Sequence, residues 1–489
     1  MLEPSTSTAV EDSPPRLRDA WVALAGLSAV FLFEMLDNSV LNVALPTIGR
    51  DLTASTASLQ WVSGAYSVAF GGLMLLFGAV ADRFGRRRVM LIGLTLLAVV
   101  SVLTVFVASV EQLIAVRALM GVAAAMTTPG SMALAFRLFD RDDLRVRALT
   151  VISTAGLVGL AAGPTIGGFV LAVAPWQVLI VANAPIAVIA WIGIRAGIGA
   201  DERSHLHRDR IDVLGAVLGT ATVVGVLLTP TLFVADTDVA AGWGAAAATV
   251  TAAIGFVVRE RTARHPLLDL RLVAQPLVAS GLAYKAAAGL AMAGLSYLAT
   301  LQLQFAWGWP PALAAVAMLP QVVVLLASGR FVGPFVHRVG LDRAAWMSAA
   351  AVVSGLAVFA LLSRFGYPWV LVALVLVAAG MRVVGVVAGN NVLRGLPADR
   401  TSIGAALVDT ASEIATAVGI AATGTILAAV VGGGIATEYF TPALVASFQQ
   451  AVLIAGSTIT AIAAALVVVG VIRSHHLPSQ PATQEPSHV

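Results

Sequence analysis

The chain has 489 residues, of which 59% are hydrophobic and only 11% are charged. A soluble domain carries about 25% charged residues, so this composition excludes a water-soluble globular protein, and the high hydrophobicity also excludes a disordered one. The chain has no cysteine, which rules out disulfides, thiolate metal sites and cysteine nucleophiles.

The apolar residues fall into fourteen windows, each long enough for a bilayer-spanning helix of about 20 residues. Residues 1–19 before them and 473–489 after them are polar, and we predict that they are tails. The first window continues past any signal-peptide cleavage site and has further windows behind it, so we interpret it as an uncleaved helix. The windows are 21–45, 57–80, 89–108, 112–135, 148–173, 176–197, 212–233, 241–258, 277–301, 312–333, 344–362, 368–391, 403–431 and 450–472.

The positions of the arginines predict the orientation of these helices. With both termini in the cytoplasm, 24 arginines lie in inside loops and tails or at the inside ends of the windows, and outside loops hold only Arg50 and Arg364. This is a strong positive-inside distribution, and it explains the net charge of +3 without a nucleic-acid partner. All seven histidines lie in inside segments, so we expect no metal site in the membrane.

The sequence also contains an internal repeat. The pattern Gly78-x-x-x-Asp82-Arg83-x-Gly85 follows the second window, and Gly333-x-x-x-His337-Arg338-x-Gly340 follows the tenth. Arg117 and Gly121 in the fourth window are echoed by Arg382 and Gly385 in the twelfth, with one residue less between them. Two repeated membrane halves are typical of transporters, whose substrate site lies at the interface of the halves. We therefore predict a six-helix half at 20–197, a linker with two inserted helices at 198–274, and a second six-helix half at 275–472.

Ionisable side chains inside the windows are the main candidates for function, because charges in a bilayer are costly. The two acids of the first window are three residues apart and those of the thirteenth are four apart, so each pair shares a helix face. Acids outnumber bases by one, and an unpaired carboxyl in the bilayer holds a proton more readily than one in water. The alternative is that these charges form salt bridges that hold helices together. The seven residues are Glu34, Asp37, Arg117, Lys285, Arg382, Asp409 and Glu413.

Several of these segments resemble motifs of the fourteen-helix drug:proton antiporters of the major facilitator superfamily. Residues 36–46, Leu-Asp-Asn-Ser-Val-Leu-Asn-Val-Ala-Leu-Pro, are similar to the first-helix motif. Residues 78–88 match the loop signature between helices 2 and 3, and residues 117–121 resemble the fourth-helix arginine motif, with Met120 replacing the usual glutamine. In the fifth window, the pattern Gly159-x-x-x-Gly163-Pro164-x-x-Gly167-Gly168 matches the antiporter motif, although Thr150 replaces an expected glycine.

The resemblance implies roles for individual residues. It implies that Asp37 carries a proton with Arg117 as its helper, and that Glu34, Asp409 and Glu413 are cation or proton sites. It implies an inner gate formed by Gly78, Asp82, Arg83, Gly85, Arg86 and Arg87, with a weaker counterpart in the second half, where His337 replaces an aspartate. For the substrate cavity we expect Lys285, Tyr284, Arg382, Asn390 and Asn391.

The sequence thus predicts an all-helical polytopic membrane protein with two six-helix halves and two inserted central helices. By resemblance it is a proton-coupled antiporter in the plasma (inner) membrane that exports amphipathic drugs or antibiotics, works as a monomer and needs neither a cofactor nor enzymatic activity. A proton-coupled uptake symporter is one alternative, which the glycine motif of the fifth window disfavours. A non-transporting membrane sensor is another, which the two repeated halves and the membrane charges disfavour.

Overall fold

A computed structural model of the chain describes residues 17–139, 142–201, 212–234, 239–264, 266, 270–396, 401–431 and 442–475. Almost all of both predicted tails lies outside these residues. A helix covers every one of the fourteen windows, and we number these helices in chain order. They are α1 (Trp21–Asp51), α2 (Thr56–Phe84), α3 (Arg86–Leu103), α4 (Val110–Arg137), α5 (Asp142–Val173), α6 (Asn183–Gly197), α7 (Val213–Val234), α8 (Val239–Thr262), α9 (Pro276–Leu301), α10 (Pro311–Ala327, continued at an angle by Gly329–Val339), α11 (Leu341–Leu362), α12 (Tyr367–Gly395), α13 (Thr401–Val431) and α14 (Pro442–His475).

The number of complete spans is not confirmed as fourteen. By length and composition, the described residues contain eleven membrane-crossing helices, or up to thirteen if α2 and α10, each bent sharply, count as one span apiece. The bend is 51° in α2 and 57° in α10. In α7 the described apolar segment, Val213–Thr229, is shorter than a full span. The chain is a multi-pass membrane protein with an apolar helix at every predicted window.

Local sequence explains where several helices begin and end. The Ser55 hydroxyl accepts a hydrogen bond from the backbone N–H of Ser58 at the start of α2, a standard N-cap. Gly85, between α2 and α3, has φ of 104°, and Gly340, between α10 and α11, has φ of 82°. Glycine adopts such angles at little cost. The two glycines of the repeated motif therefore make the same sharp turn in each half.

The two halves share most of their helix pairings, and they differ in that α9 packs closely on α12 while α1 makes few contacts with α4. In the first half α1 packs on α5 and α6, α2 packs on α4, and α3 packs on α4 and α6. In the second half α9 packs on α13 and α14, α10 packs on α12, and α11 packs on α12 and α14. The inserted helices α7 and α8 pack on each other, and α7 also contacts α2 and α13. The internal repeat seen in the sequence is thus a repeat of structure.

The halves meet through α5 against α10 and α2 against α13. Several contacts between halves lie toward the end of the bundle where α1 ends and α2 begins, which we call the α1–α2 end. There the Gln60 amide donates to the Ala421 carbonyl at 3.0 Å, and the Gln304 amide donates to the Val43 carbonyl at 3.1 Å. Gly168 lies directly against Pro311 and neighbouring residues of α10. These contacts hold the two halves together at the α1–α2 end.

A charged cavity between the two halves

A cavity of about 440 Å³ lies between the halves. Its walls come from α1, α2, α4 and α5 of the first half and from the corresponding helices α9, α10, α12 and α13 of the second. The repeat therefore supplies equivalent helices from both sides, which is where a transporter of this architecture holds its substrate.

Four ionisable side chains line this cavity: Glu34, Lys285, Arg382 and Glu413. Glu34 and Glu413 are buried, and the Thr128 hydroxyl donates to a Glu34 carboxylate oxygen at 2.8 Å. Lys285 and Arg382 are half-buried. Neither base has a hydrogen bond or an ion pair with any side chain that the structure describes. The first half thus contributes an acid to the cavity, and the second contributes two bases and an acid.

Methionines form much of the apolar wall. Five of the eleven in the chain line the cavity, which is a large share for one surface. A methionine side chain is flexible and polarisable, so it adapts to ligands of different shape. The Gln321 amide points at the Met292 sulfur, 2.7 Å away. The five are Met35, Met74, Met292, Met318 and Met381.

Asp37 lies beside the cavity in a buried polar cluster. Its carboxylate forms an ion pair with Arg117 at 2.5 Å and accepts a hydrogen bond from the Asn183 amide at 2.6 Å. Arg117 is fully buried, donates from Nε to the Val62 carbonyl at 3.3 Å, and lies over the Tyr66 ring at 4.7 Å. The ion pair joins α1 to α4, and the contacts of its two members with Asn183, Val62 and Tyr66 connect this cluster to α6 and α2.

The other residues predicted for the cavity have different positions. Tyr284 is buried against Gly470 of α14 and packs with alanines of α11 rather than on the cavity wall. Asn390 and Asn391 lie further along α12, beyond the part of that helix that lines the cavity. Asp409 belongs to α13, but its side chain lies outside the part of the chain that the structure describes.

The predicted gate residues meet at the α2–α3 turn. Asp82 forms an ion pair with Arg86 at 2.6 Å, and both side chains are partly exposed. Asp201, just after α6, accepts hydrogen bonds from the backbone N–H groups of Arg87 and Arg88, and so caps the start of α3. A Cβ at Gly85 would overlap the Asp201 carboxylate, so glycine is required there for space as well as for its φ angle.

The remaining residues of the gate motif stay close to this turn. Arg87 also donates to the Arg195 carbonyl of α6 at 2.8 Å. Arg83 lies 5.7 Å from the centre of the Phe84 ring, and Gly78 faces Pro129 of α4. These contacts connect the turn to α4 and α6 of its own half.

The glycines of α5 lie against other helices. A Cβ at Gly159 would lie 2.5 Å from the Leu32 carbonyl oxygen, and one at Gly163 would lie 2.5 Å from Ser39 of α1. The Ser39 hydroxyl donates to the Leu160 carbonyl at 2.8 Å across the same interface. Small residues permit this close backbone approach. Pro164, inside α5, also lines the cavity.

Four polar residues of the site were not among the sequence candidates. Asn183 supports Asp37, Thr128 supports Glu34, Asp201 caps α3, and Gln60 joins the halves. For Asn183 the signal was available, because it is an isolated amide in an apolar window and such groups need a partner in the membrane.

Comparisons with known proteins agree with this architecture. The model of the Major Facilitator Superfamily matches residues 27–420. The chain is 34% identical to the cephamycin export protein CmcT of Amycolatopsis lactamdurans over 68% of this chain and 69% of that protein. It is 28% identical to the multidrug efflux pump LfrA of Mycolicibacterium smegmatis and 30% identical to the puromycin resistance protein pur8 of Streptomyces alboniger, in each case over 86% of this chain and 84% of the relative.

Solved structures share the fold. A bacterial homolog of the human lysosomal transporter Spinster, in an inward-facing and occupied conformation, matches with a TM-score of 0.65 at 14% identity, covering 95% of this chain and 98% of that one. The family model, the relatives and the paired halves lead to one conclusion. The chain belongs to the major facilitator superfamily of membrane transporters, as the sequence motifs predicted.

Proposed function

We propose that this protein exports amphipathic organic compounds, such as drugs or antibiotics, from the cytoplasm in exchange for protons. The observation that carries the proposal is the cavity between the halves, which combines buried carboxylates with an adaptable apolar wall. The names of the relatives, which include export, efflux and resistance proteins, support it. The methionines favour a broad substrate range, as in multidrug efflux, over a single dedicated substrate.

For the orientation, we propose that both termini are cytoplasmic and that the protein lies in the plasma (inner) membrane as a monomer. The arginine distribution supports this orientation. The α1–α2 end then faces the exterior. With this end closed, the transporter is in the inward-facing state, which accepts substrate from the cytoplasm. We place the functional halves at 20–197 and 275–472, with the linker and the two inserted helices at 198–274 between them.

For the coupling, we propose that Asp37 is the proton carrier and Arg117 its helper. Protonation of Asp37 would remove the negative charge to which Arg117 is bound, and so loosen a cluster that joins four helices. Proton and substrate affect each other through their different affinities for the two states of the transporter. Glu34, Asp409 and Glu413 are the further cation or proton sites of this proposal.

The direct test is transport in vesicles that contain the purified protein and carry an imposed pH gradient. Ethidium, puromycin and the amphipathic carboxylate 1-pyrenebutyrate serve as probes. The controls are a protonophore that abolishes the gradient and protein-free vesicles, which report passive accumulation. An antiporter accumulates a probe in vesicles with an acidic lumen. Accumulation only with an acidic exterior, above the level of protein-free vesicles, would indicate an uptake symporter. The absence of gradient-driven flux for all three probes would contradict transport of this class.

Asp82→Asn is expected to slow transport more than it weakens substrate binding. Asp82 forms its ion pair at the α2–α3 turn, away from the cavity, so it should act on the interconversion of states. Transport rate and equilibrium binding are measured on the same preparation. Glu111→Gln, which changes an exposed carboxylate at the start of α4, away from the gate turns of both halves, is the matched control. A large loss of affinity with normal turnover would contradict this prediction.

A further inference from the structure

The fourth-helix arginine has a different environment in each half of the repeat. In the first half Arg117 is bound to Asp37, and a Cβ at the adjacent Gly121 would overlap the Tyr66 carbonyl oxygen. The second half has the equivalent residues Arg382 and Gly385. There, a Cβ at Gly385 would meet no atom within 4 Å, so open space replaces the tight packing of the first half.

A second base, Lys285, lines the same cavity as Arg382, whose guanidinium lies against Gly329 of α10. Gly281 of α9 packs against Ala388 of α12, which fixes the register of these two antiparallel helices. Lys285 is one turn further along α9, which brings it to the level of Gly385. Because Gly281 lies between Ala388 and Val392, a rise of 1.5 Å per residue places the Cα atoms of Lys285 and Arg382 about 6 Å apart along the helix axes. Both side chains and Gly385 line the cavity.

Although Glu34 and Glu413 line the same cavity, neither base forms an ion pair within 4 Å with an acid that the structure describes. The Arg382 Nε is buried without a hydrogen-bond acceptor, and Lys285 has no bonded partner among the described residues. Two positive charges in one cavity at membrane depth are costly. An anion that binds both offsets this cost, because hydrogen bonds between charged groups are stronger than neutral ones.

We propose that Lys285 and Arg382, with the open space at Gly385, bind an acidic group such as a carboxylate on the exported compound. The inference rests on the proposed function and narrows its substrate class to amphipathic acids and zwitterions. The apolar part of such a compound would lie against the methionine wall, and its acidic group would lie between the two bases.

The test is equilibrium binding of three matched probes to the purified protein in detergent, without a pH gradient. The probes are 1-pyrenebutyrate, the neutral 1-pyrenebutanol and the cationic 1-pyrenebutyl-trimethylammonium. The wild type is expected to bind the carboxylate about tenfold more tightly than the alcohol. Lys285→Met and Arg382→Met are each expected to remove most of this preference without weakening binding of the ammonium probe.

Gly385→Val provides a test that leaves both charges in place. It fills the open space at Gly385. We expect it to lower affinity for the carboxylate about tenfold and to affect affinity for the alcohol less. This variant remains informative if a charge-removing variant does not fold. The controls are Arg364→Met, which removes an exposed positive charge outside the cavity, and Gly64→Val, which adds bulk where a Cβ also meets open space.

A wild type that binds the carboxylate no more tightly than the alcohol would overturn the inference, as would an unchanged preference in all three cavity variants. An equal loss of affinity for all three probes in Lys285→Met would indicate that Lys285 only supports the fold, and it would also overturn the inference. The proposed export is tested separately, by the transport measurement. If the protein prefers the carboxylate probe but shows no gradient-driven transport, only the proposed export is refuted. If it shows gradient-driven transport but no preference for the carboxylate, only this inference is refuted.

Discussion

Asp37→Asn is expected to reduce proton-driven transport to the level of protein-free vesicles. Asparagine keeps the size of the side chain and a hydrogen-bonding oxygen, but it cannot exchange a proton. Asp37 is buried and bound to both Arg117 and Asn183, so the substitution removes the charge at the centre of this cluster. Transport of ethidium and puromycin under an imposed pH gradient measures the loss, with equilibrium binding of the same probes as a comparison.

The substitution also has a cost in stability that must be separated from its effect on coupling. Removing one partner of a buried ion pair costs about 3–5 kcal/mol, because the remaining charge has no compensation. We therefore expect Asp37→Asn to insert into the membrane but to unfold at a lower temperature. In the double variant Asp37→Asn with Arg117→Gln, both charges are gone, so thermal stability should recover while proton-driven transport stays absent.

Two comparisons make the result specific. Glu111→Gln changes an exposed carboxylate outside the cavity and should transport like the wild type. Glu34→Gln changes the acid that lines the cavity one turn away from Asp37, and it reports whether coupling requires both acids of α1. Unchanged gradient-driven transport in the Asp37 variant would remove this residue from the mechanism.

The sequence predicted the helices well, because long apolar windows in a membrane protein leave few alternatives. Backbone polar groups cannot remain unpaired in lipid, so a sufficiently long apolar segment must form a helix. The number of complete spans was harder to predict, since α2 and α10 bend sharply and α7 has a short apolar segment. Hydropathy measures composition along the chain and contains little information about bends.

The direction of individual side chains was the least predictable feature. Glu34 and Asp37 are three residues apart on α1, yet Glu34 lines the cavity while Asp37 points to Arg117. Lys285 and Tyr284 are neighbours in sequence, but only Lys285 lines the cavity. These helices are apolar on nearly all sides, so no polar stripe shows which face meets the cavity, and the packing of neighbouring helices decides it.

Polar contacts between residues far apart in the sequence could not be predicted either, because helix packing also decides which residues meet. Gln60 and Ala421 are 361 residues apart, and Asp201 reaches the start of α3 across 113 residues. A single sequence shows that such groups are polar residues in or beside apolar segments. It does not show which partner each one meets.

Gly168→Ala is expected to open the α1–α2 end of the transporter. A Cβ at this position would lie 2.7 Å from the Ala315 Cβ and 2.8 Å from the Pro311 carbonyl oxygen of α10. That contact joins the two halves, so the added methyl group acts on the closed arrangement and not on one half alone. Overpacking costs about 1–3 kcal/mol, which shifts an equilibrium between states about 5- to 150-fold.

The neighbouring residue provides the matched control. A Cβ at Gly167 would lie no closer than 3.5 Å to Val40, an ordinary contact within the first half. Gly167→Ala adds the same methyl group one residue away and should leave the equilibrium unchanged. A difference between the two variants therefore reports the contact between halves and not the helix propensity of alanine.

Because the chain has no cysteine, one cysteine introduced by Ser296→Cys reports access to the cavity. A membrane-impermeant maleimide is added from the exterior, and its reaction rate is measured in both glycine variants. We expect slow labelling in the Ser296→Cys protein and in its Gly167→Ala variant, and faster labelling in its Gly168→Ala variant. We also expect Gly168→Ala to slow transport, because each transport cycle passes through the state in which the α1–α2 end is closed. Equal labelling rates in all three proteins would show that the contact of Gly168 with α10 does not control closure of the α1–α2 end.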